Sequence, residues 1–330
     1  MDTGEIILYP VKMLPAFKDY IWGGNKLAEE WSKPSPYSRT AESWELSAHR
    51  NGESVANNGP LKGIGLSELI GIWGTGCLGR NFKEAERFPI LIKLIDPKQK
   101  LSVQVHPGDG YALAHEGDLG KTEMWYIAEA GPTGSILCGF REDIDEELFR
   151  KSIDNNSIVG LLNKITVKKG DVFLIEPGTV HAICEDVIIT EIQQNSDVTY
   201  RVYDYDRRGD DGNPRDLHID KAADISNFKA SHFDGSSQGL RTEEEYGYAR
   251  LLVSCKYFSV YEHTTKSENS AVVFTAGEKS FHALTFLDGR GVIRYNNETE
   301  YFEKGDTFFI PANFGDYRIE GRTLFLLTEV

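Results

Sequence analysis

At 330 residues, with 36 basic against 51 acidic side chains and a net charge of −15, the chain can bury a large core and repels polyanions. Nucleic acid and acidic membrane surfaces therefore do not fit as partners, and an anionic small substrate would need a local basic pocket. No run of about 18 apolar residues occurs, so no membrane-spanning helix is expected.

The first stretch, MDTGEIILYPVKML, begins with acidic residues and lacks a basic region followed by a long apolar run, so no secretory leader is expected. Cys77, Cys138, Cys184 and Cys255 lie far apart with no C-x-x-C pair. That spacing argues against a disulfide framework or a thiolate metal site and fits a reducing cytoplasm.

Along the chain, the segment from Gly65 to Phe88 carries helical spacing with an acidic residue near its start. Short strand-like runs follow: FPILIKLI, LSVQVHP, EMWYIAEA, SILCGF, ITVKKGDVFLIEP and VIITEIQQ. Gly, Asp and Asn punctuate them, which predicts an antiparallel, mainly β protein. A Gly-rich turn is expected between His106 and Lys121. The acidic, helically spaced stretch of about 141–164 interrupts the strands and reads as a small helical insertion beside the β-core.

An internal repeat organises the rest. Lys168 to Ile183 (KKGDVFLIEPGTVHAI) resembles Glu303 to Ile319 (EKGDTFFIPANFGDYRI), each with Lys-Gly-Asp, an apolar strand and a Pro-containing turn. Eleven positions after Gly170 stands His181; eleven after Gly305 stands Asp316. Two related β-units are the economical reading, and only the first carries the histidine. The polar, turn-rich stretch near 228–247 supplies a boundary. Residues 1–235 are thus expected to form a metal-binding unit with the helical insertion, and 236–330 a metal-free one. Exposed edges of such a pair would suit a homodimer.

The chemistry centres on Gln104, His106, Glu123 and His181. Gln104 and His106 are two apart on a strand and so share a face. Glu123 and His181 sit on two further strand-like runs, and neighbouring strands of a barrel can aim such residues at one interior point. Two imidazoles and a carboxylate suit zinc, with the Gln104 amide as a weaker oxygen ligand. Taken singly, each of these residues also fits a core or surface role. Lys93, Lys98, Lys100 and Lys121 gather basic charge nearby. The remaining histidines (His49, His115, His218, His232, His263 and His282) read as packing or surface residues.

G-D-V-F-L-I-E-P-G-T-V-H resembles the second cupin motif. Q-V-H-P, K-T-E-M-W-Y and P-G-T-V-H-A-I, in that order, resemble the type I mannose-6-phosphate isomerases in their short bacterial form. IWGGNKL, AESWELS and NSDVTYRVYDYDR match the same family's patterns. The resemblance implies two cupin-type antiparallel β-barrel (jelly-roll) units and a zinc-dependent interconversion of mannose 6-phosphate and fructose 6-phosphate through an enediol(ate). It implies one Zn2+ per chain on Gln104, His106, Glu123 and His181, with Arg201 and Lys121 as catalytic residues. Ser102 and Lys100 fall where sugar or phosphate contacts occur in relatives, and Trp22 and Glu45 are candidate substrate contacts. Trp44 could wall the same site, and Glu42 lies beside Glu45 in the matched stretch.

Three other readings share parts of this pattern. Two histidines and a carboxylate also form the facial triad of non-heme iron oxygenases. A non-catalytic sugar-phosphate sensor could keep the fold, although it has no need of an open metal site. The same chemistry could also serve another phosphorylated sugar.

Overall fold

The computed structural model describes residues 7–82, 87–209 and 212–330. The acidic start of the chain, on which the leader expectation rests, lies outside the described residues, as does part of the Gly65–Phe88 stretch.

Nearly continuous apolar runs such as Ile90–Ile95 and Glu123–Ala130 cannot leave either face in water, and each is buried on both sides. They sit inside a six-stranded antiparallel sheet ordered Val172–Ile175, Glu123–Ala130, Val187–Gln194, Ile90–Ile95, Glu42–Leu46 and Ala16–Lys18. A five-stranded sheet runs Leu162–Thr166, Ser135–Phe140, His181–Ile183, Val103–Val105 and Tyr200–Tyr203. Trp125, Ile127, Phe173 and Ile189 of the first sheet share one core with Ile136, Cys138 and Ile183 of the second. The mainly β expectation holds. The strand ladders stay open, and no closed barrel forms among the described residues.

The other face of the six-stranded sheet packs on a ten-stranded C-terminal sheet. Met124, Tyr126, Ile188 and Ile192 meet Leu252, Phe281, Phe309 and Leu326 there. Inside the C-terminal unit, Phe286, Phe302, Phe308, Tyr317 and Phe325 fill the interior with aromatic rings. The strand Val11–Leu14 belongs to this sheet, pairing with Thr307–Ile310, so the N-terminal segment crosses the boundary expected near residue 235. That partnership is long-range and leaves no local signature.

The repeat is visible in the backbone. Gly170 and Gly305 both adopt positive φ, at 89° and 94°. In each copy the following aspartate caps the turn, Asp171 accepting from the Lys168 N–H and Asp306 from the Glu303 N–H. Each turn then leads into a strand, Val172–Ile175 or Thr307–Ile310.

The insertion forms the helix Glu146–Asp154, N-capped by Asp145, and a 3-10 turn at Ile158–Leu161. Phe149, Ile153 and Ile158 cover the outer face of the five-stranded sheet. The insertion stops short of its expected end, because Leu162–Thr166 is a strand on the edge of that sheet. The region Gly65–Phe88 supplies the helix Leu66–Trp73 and the 3-10 turn Thr75–Leu78. Between His106 and Lys121 the expected turn is instead the helix Asp109–Glu116, closed by Gly117 in the left-handed conformation. Gly108 and Gly110 made it read as a turn, whereas they stand at its start. All four cysteines are free thiols. No helix among the described residues is long and apolar enough to cross a membrane.

Candidate metal centre and substrate cleft

The two facing sheets bring the predicted ligands to one point. On the five-stranded sheet, His181 and Arg201 are register partners of Gln104 on either side. On the facing sheet, Glu123 opens the Glu123–Ala130 strand and projects into the gap. Ligand atoms of His106, Glu123 and His181 all lie within 4.8 Å of one another, and all three residues are buried. His106 Nε2 is 3.5 Å and His181 Nε2 3.4 Å from the Glu123 carboxylate. The Gln104 amide is 3.4 Å from His181 Nε2.

Hydrogen bonds fix the tautomers. His106 Nδ1 meets the Val198 carbonyl at 2.9 Å and His181 Nδ1 the Thr179 carbonyl at 2.8 Å. A carbonyl can only accept, so each Nδ1 carries the proton and each Nε2 presents a lone pair to the shared point. Burial, reinforced by the Lys121 ammonium, holds His181 down at about 4 and His106 well below its ordinary value, so both rings are neutral. Glu123 Oε1 is buried and makes no hydrogen bond. His181 Nε2 and Glu123 Oε1 face each other at 3.4 Å, a spacing that a shared proton or a cation between them would satisfy. The set of two imidazoles and one carboxylate, beside the Gln104 side chain, fits a divalent metal.

Lys121 contributes positive charge at the same place. Its ammonium donates to Glu123 Oε2 and lies 3.0 Å from His106 Nε2. Beyond it runs a row that sequence reasoning did not assemble: Trp125, Glu191, Lys93 and Trp44 are successive register partners across the six-stranded sheet. Lys93 reaches Glu191 at 3.0 Å and Glu42 at 3.9 Å. Trp125 and Trp44 donate their indole N–H groups to Glu191 and Glu42. Burial works against charge on both members of the central pair. Lys121 and Lys93 nevertheless hold Glu191 down at about 2, while Glu191 and Glu42 keep Lys93 above its ordinary value. Burial and the Glu191 carboxylate push Glu123 up to about 7, against the pull of Lys121. The signal for Glu191 was present in the alternation of VIITEIQQ, where a carboxylate interrupts an apolar strand.

Lys121, Glu191, Lys93, Glu42 and Trp44 line a cleft of about 280 Å³, together with Trp22, Ser102, Gln104 and Arg201. Arg201 does not pair with Asp204, which is taken by Arg207 and Arg215. Its Nε is buried without a partner, one terminal nitrogen donates to the Asp216 carbonyl, and its peptide is clamped by His218 from both sides. His218 is therefore a support for the cleft and not a bystander.

Two expected contacts lie elsewhere. Lys100 lines a separate recess with Lys98, Tyr205 and Arg207, beyond the turn that precedes Val103–Val105. Glu45 points to the opposite face of its strand, where it is fully buried and pairs with Lys33 at 2.6 Å. The two-residue period of a strand puts Glu42 and Trp44 in the cleft and Ser43 and Glu45 behind it. A second group, His49, Asp118 and Asp197, also converges. There His49 Nδ1 accepts the Asn51 N–H, so Nε2 carries the proton and faces the carboxylates as a donor, not as a ligand.

Residues 11–128 match the model of the phosphomannose isomerase type I catalytic domain, and 249–328 that of the mannose-6-phosphate isomerase cupin domain. The Bacillus subtilis (strain 168) protein named Probable mannose-6-phosphate isomerase GmuF is 39% identical, the match covering 97% of this chain and 99% of that one. Mannose-6-phosphate isomerase ManA of the same organism is 37% identical, over 94% of this chain and 96% of its own. The crystal structure of a Bacillus subtilis mannose 6-phosphate isomerase superposes with a TM-score of 0.88 at 35% identity, covering 97% of this chain and 99% of that chain. Sequence, domain models and fold thus agree along nearly the whole length with the motifs that frame the cleft, and the chain belongs to the type I phosphomannose isomerase family.

Proposed function

We propose that this chain interconverts mannose 6-phosphate and fructose 6-phosphate through an enediol(ate) in the cleft, with one zinc ion held by His106, Glu123, His181 and Gln104. The observation that carries the reading is the buried, hydrogen-bond-free Glu123 Oε1 facing the Nε2 lone pair of His181, next to Lys121 and Gln104, which line the cleft. A bound zinc would supply Lewis-acid stabilisation of charge on the sugar oxygens.

The protein's own groups divide the remaining work. Moving a proton between carbon 2 and carbon 1 builds negative charge on the two oxygens. Arg201, partly desolvated and anchored through the Asp216 carbonyl, holds a fixed positive charge toward that enediolate. Lys121 acts as a hydrogen-bond donor and positive charge beside Glu123. Lys93 is already matched by Glu191 and Glu42 and Arg215 by Asp204, so Ser102 is the cleft-wall group left to contact the phosphate. Trp22 and Trp44 offer apolar faces to the sugar and exclude water.

The test is direct. Metal-loaded protein should convert mannose 6-phosphate to fructose 6-phosphate, a chelator should abolish the rate, and zinc should restore it. Turnover that survives complete metal removal, or oxygen uptake with stoichiometric iron, would overturn the reading.

A further inference from the structure

A recess of about 620 Å³ opens on the C-terminal sheet, beside the segment Glu30 to Ser32 and apart from the catalytic cleft. It is lined by Arg290 and Arg322, which stand directly opposite each other on the antiparallel strands His282–Tyr295 and Gly315–Glu329. Like charges so placed repel, and both side chains are exposed, so solvent screens them. Neither guanidinium makes a hydrogen bond or ion pair among the described residues, although Glu303 is the register partner of Arg290 on its other side. The other basic side chains here are engaged. Lys304 reaches Glu129 at 2.7 Å and lies over the Trp31 ring at 4.3 Å. Arg241 reaches Glu243 at 2.6 Å and stacks on Tyr248.

An arginine pair with no bonded partner among the described residues is unexpected in a chain of net charge −15. Two planar forks side by side match the several oxygens of a phosphate, which would cancel their repulsion. Glu30, Glu268 and Asp288 line the same recess and can accept hydrogen bonds from hydroxyl groups. We infer that Arg290 and Arg322 form the anion-binding element of a second small-molecule site, one that takes a phosphorylated polyol. The site lies in the unit that lacks the metal ligands and is independent of the isomerase chemistry.

Glycerol 3-phosphate tests the assignment, because it carries both groups and has no carbonyl to isomerise. It is titrated calorimetrically into the metal-loaded full chain and into three variants. The double variant R290Q/R322Q should lose one class of binding site while its mannose 6-phosphate turnover matches the parent and its melting temperature is no lower. R201A should retain that class. R290K/R322K, which keeps the charge and loses the forks, should bind about tenfold more weakly or worse at that site. Identical isotherms for the parent and R290Q/R322Q, or no binding to the parent at millimolar ligand, would overturn the assignment.

Discussion

Glu191 stands directly opposite Lys93 on the neighbouring antiparallel strand, and the two side chains meet at 3.0 Å. Trp125 lies opposite Glu191 on one side and Trp44 opposite Lys93 on the other, so four residues form a line across the sheet. The line connects the candidate metal ligands to the cleft wall. Glu191 approaches Lys121, and Lys93 approaches Glu42. Charge at the metal end is thereby fixed by partners that the sheet itself holds in place.

Breaking that line should cost stability before it costs chemistry. Lys93→Met leaves the buried Glu191 without its closest cation, and removing one partner of a buried pair typically costs about 3–5 kcal/mol. The double change Lys93→Met with Glu191→Gln should cost less than the sum of the two single changes. Urea unfolding of the metal-free protein measures all three, and strictly additive losses would show that the pair is not coupled.

Metal binding and catalysis should separate between two residues of the five-stranded sheet. His181→Ala removes an Nε2 ligand and should lower both metal content and turnover. Arg201→Ala touches no ligand atom and should keep its metal while turnover falls on the order of a hundredfold, as when a fixed donor to a developing oxyanion is lost. Elemental analysis and steady-state kinetics on the same preparations decide it. Parent-like turnover in Arg201→Ala would remove that residue from the mechanism.

The convergence of the candidate ligands was legible because strand periodicity puts Gln104 and His106 on one face and because the repeat singled out His181 against Asp316. Glu123 followed from the same motif logic. Glu45 was misplaced for a local reason: in AESWEL every residue is buried, so the sequence carries no polar-apolar alternation to say which face looks into the cleft. Lys100 was misplaced by a turn, where the two-residue period no longer applies. Glu191 and His218 could be joined to the site only through long-range pairing, Glu191 with Lys93 and His218 with the Arg201 peptide. The same limit hid the Val11–Leu14 strand in the C-terminal sheet. The barrel expectation rested on family likeness, and the ladder order leaves both units open.

An acid-sensitive group lies far from the metal. His263 is held between the rings of Phe274 and Phe325, and burial brings it down to about 4. Its folded-state value is lower than its unfolded one, so between pH 6.5 and about 4 the unfolded chain binds the extra proton. The stability it contributes is present above pH 6.5 and is lost as the pH falls toward 4. His263→Phe should therefore gain about 2 kcal/mol over the parent on going from pH 7.5 to pH 4.5. Urea midpoints at the two pH values give the comparison; parallel curves would exclude His263 as a source of acid sensitivity.

Glu42 and Glu45 make the sharpest contrast, three residues apart on one strand and on opposite faces of it. Glu45 is fully buried, accepts from Lys33 at 2.6 Å and from Ser43 at 2.6 Å, and Lys33 also donates to the Gly305 carbonyl of the C-terminal unit. Glu45→Gln strands the buried Lys33 ammonium and should destabilise the fold by about 3 kcal/mol, with kcat/KM per folded, metal-loaded molecule unchanged. Glu42 lines the cleft, accepts from the Trp44 indole at 2.6 Å and lies 3.9 Å from Lys93. Glu42→Gln keeps an acceptor for the indole and leaves Lys93 with Glu191, so its melting curve should stay near the parent's. What it loses is a charged acceptor for the sugar hydroxyls, and kcat/KM should fall about tenfold. Melting curves and kinetics on both variants test the two faces at once, and a reversed pattern would place Glu45 in the cleft and Glu42 behind it.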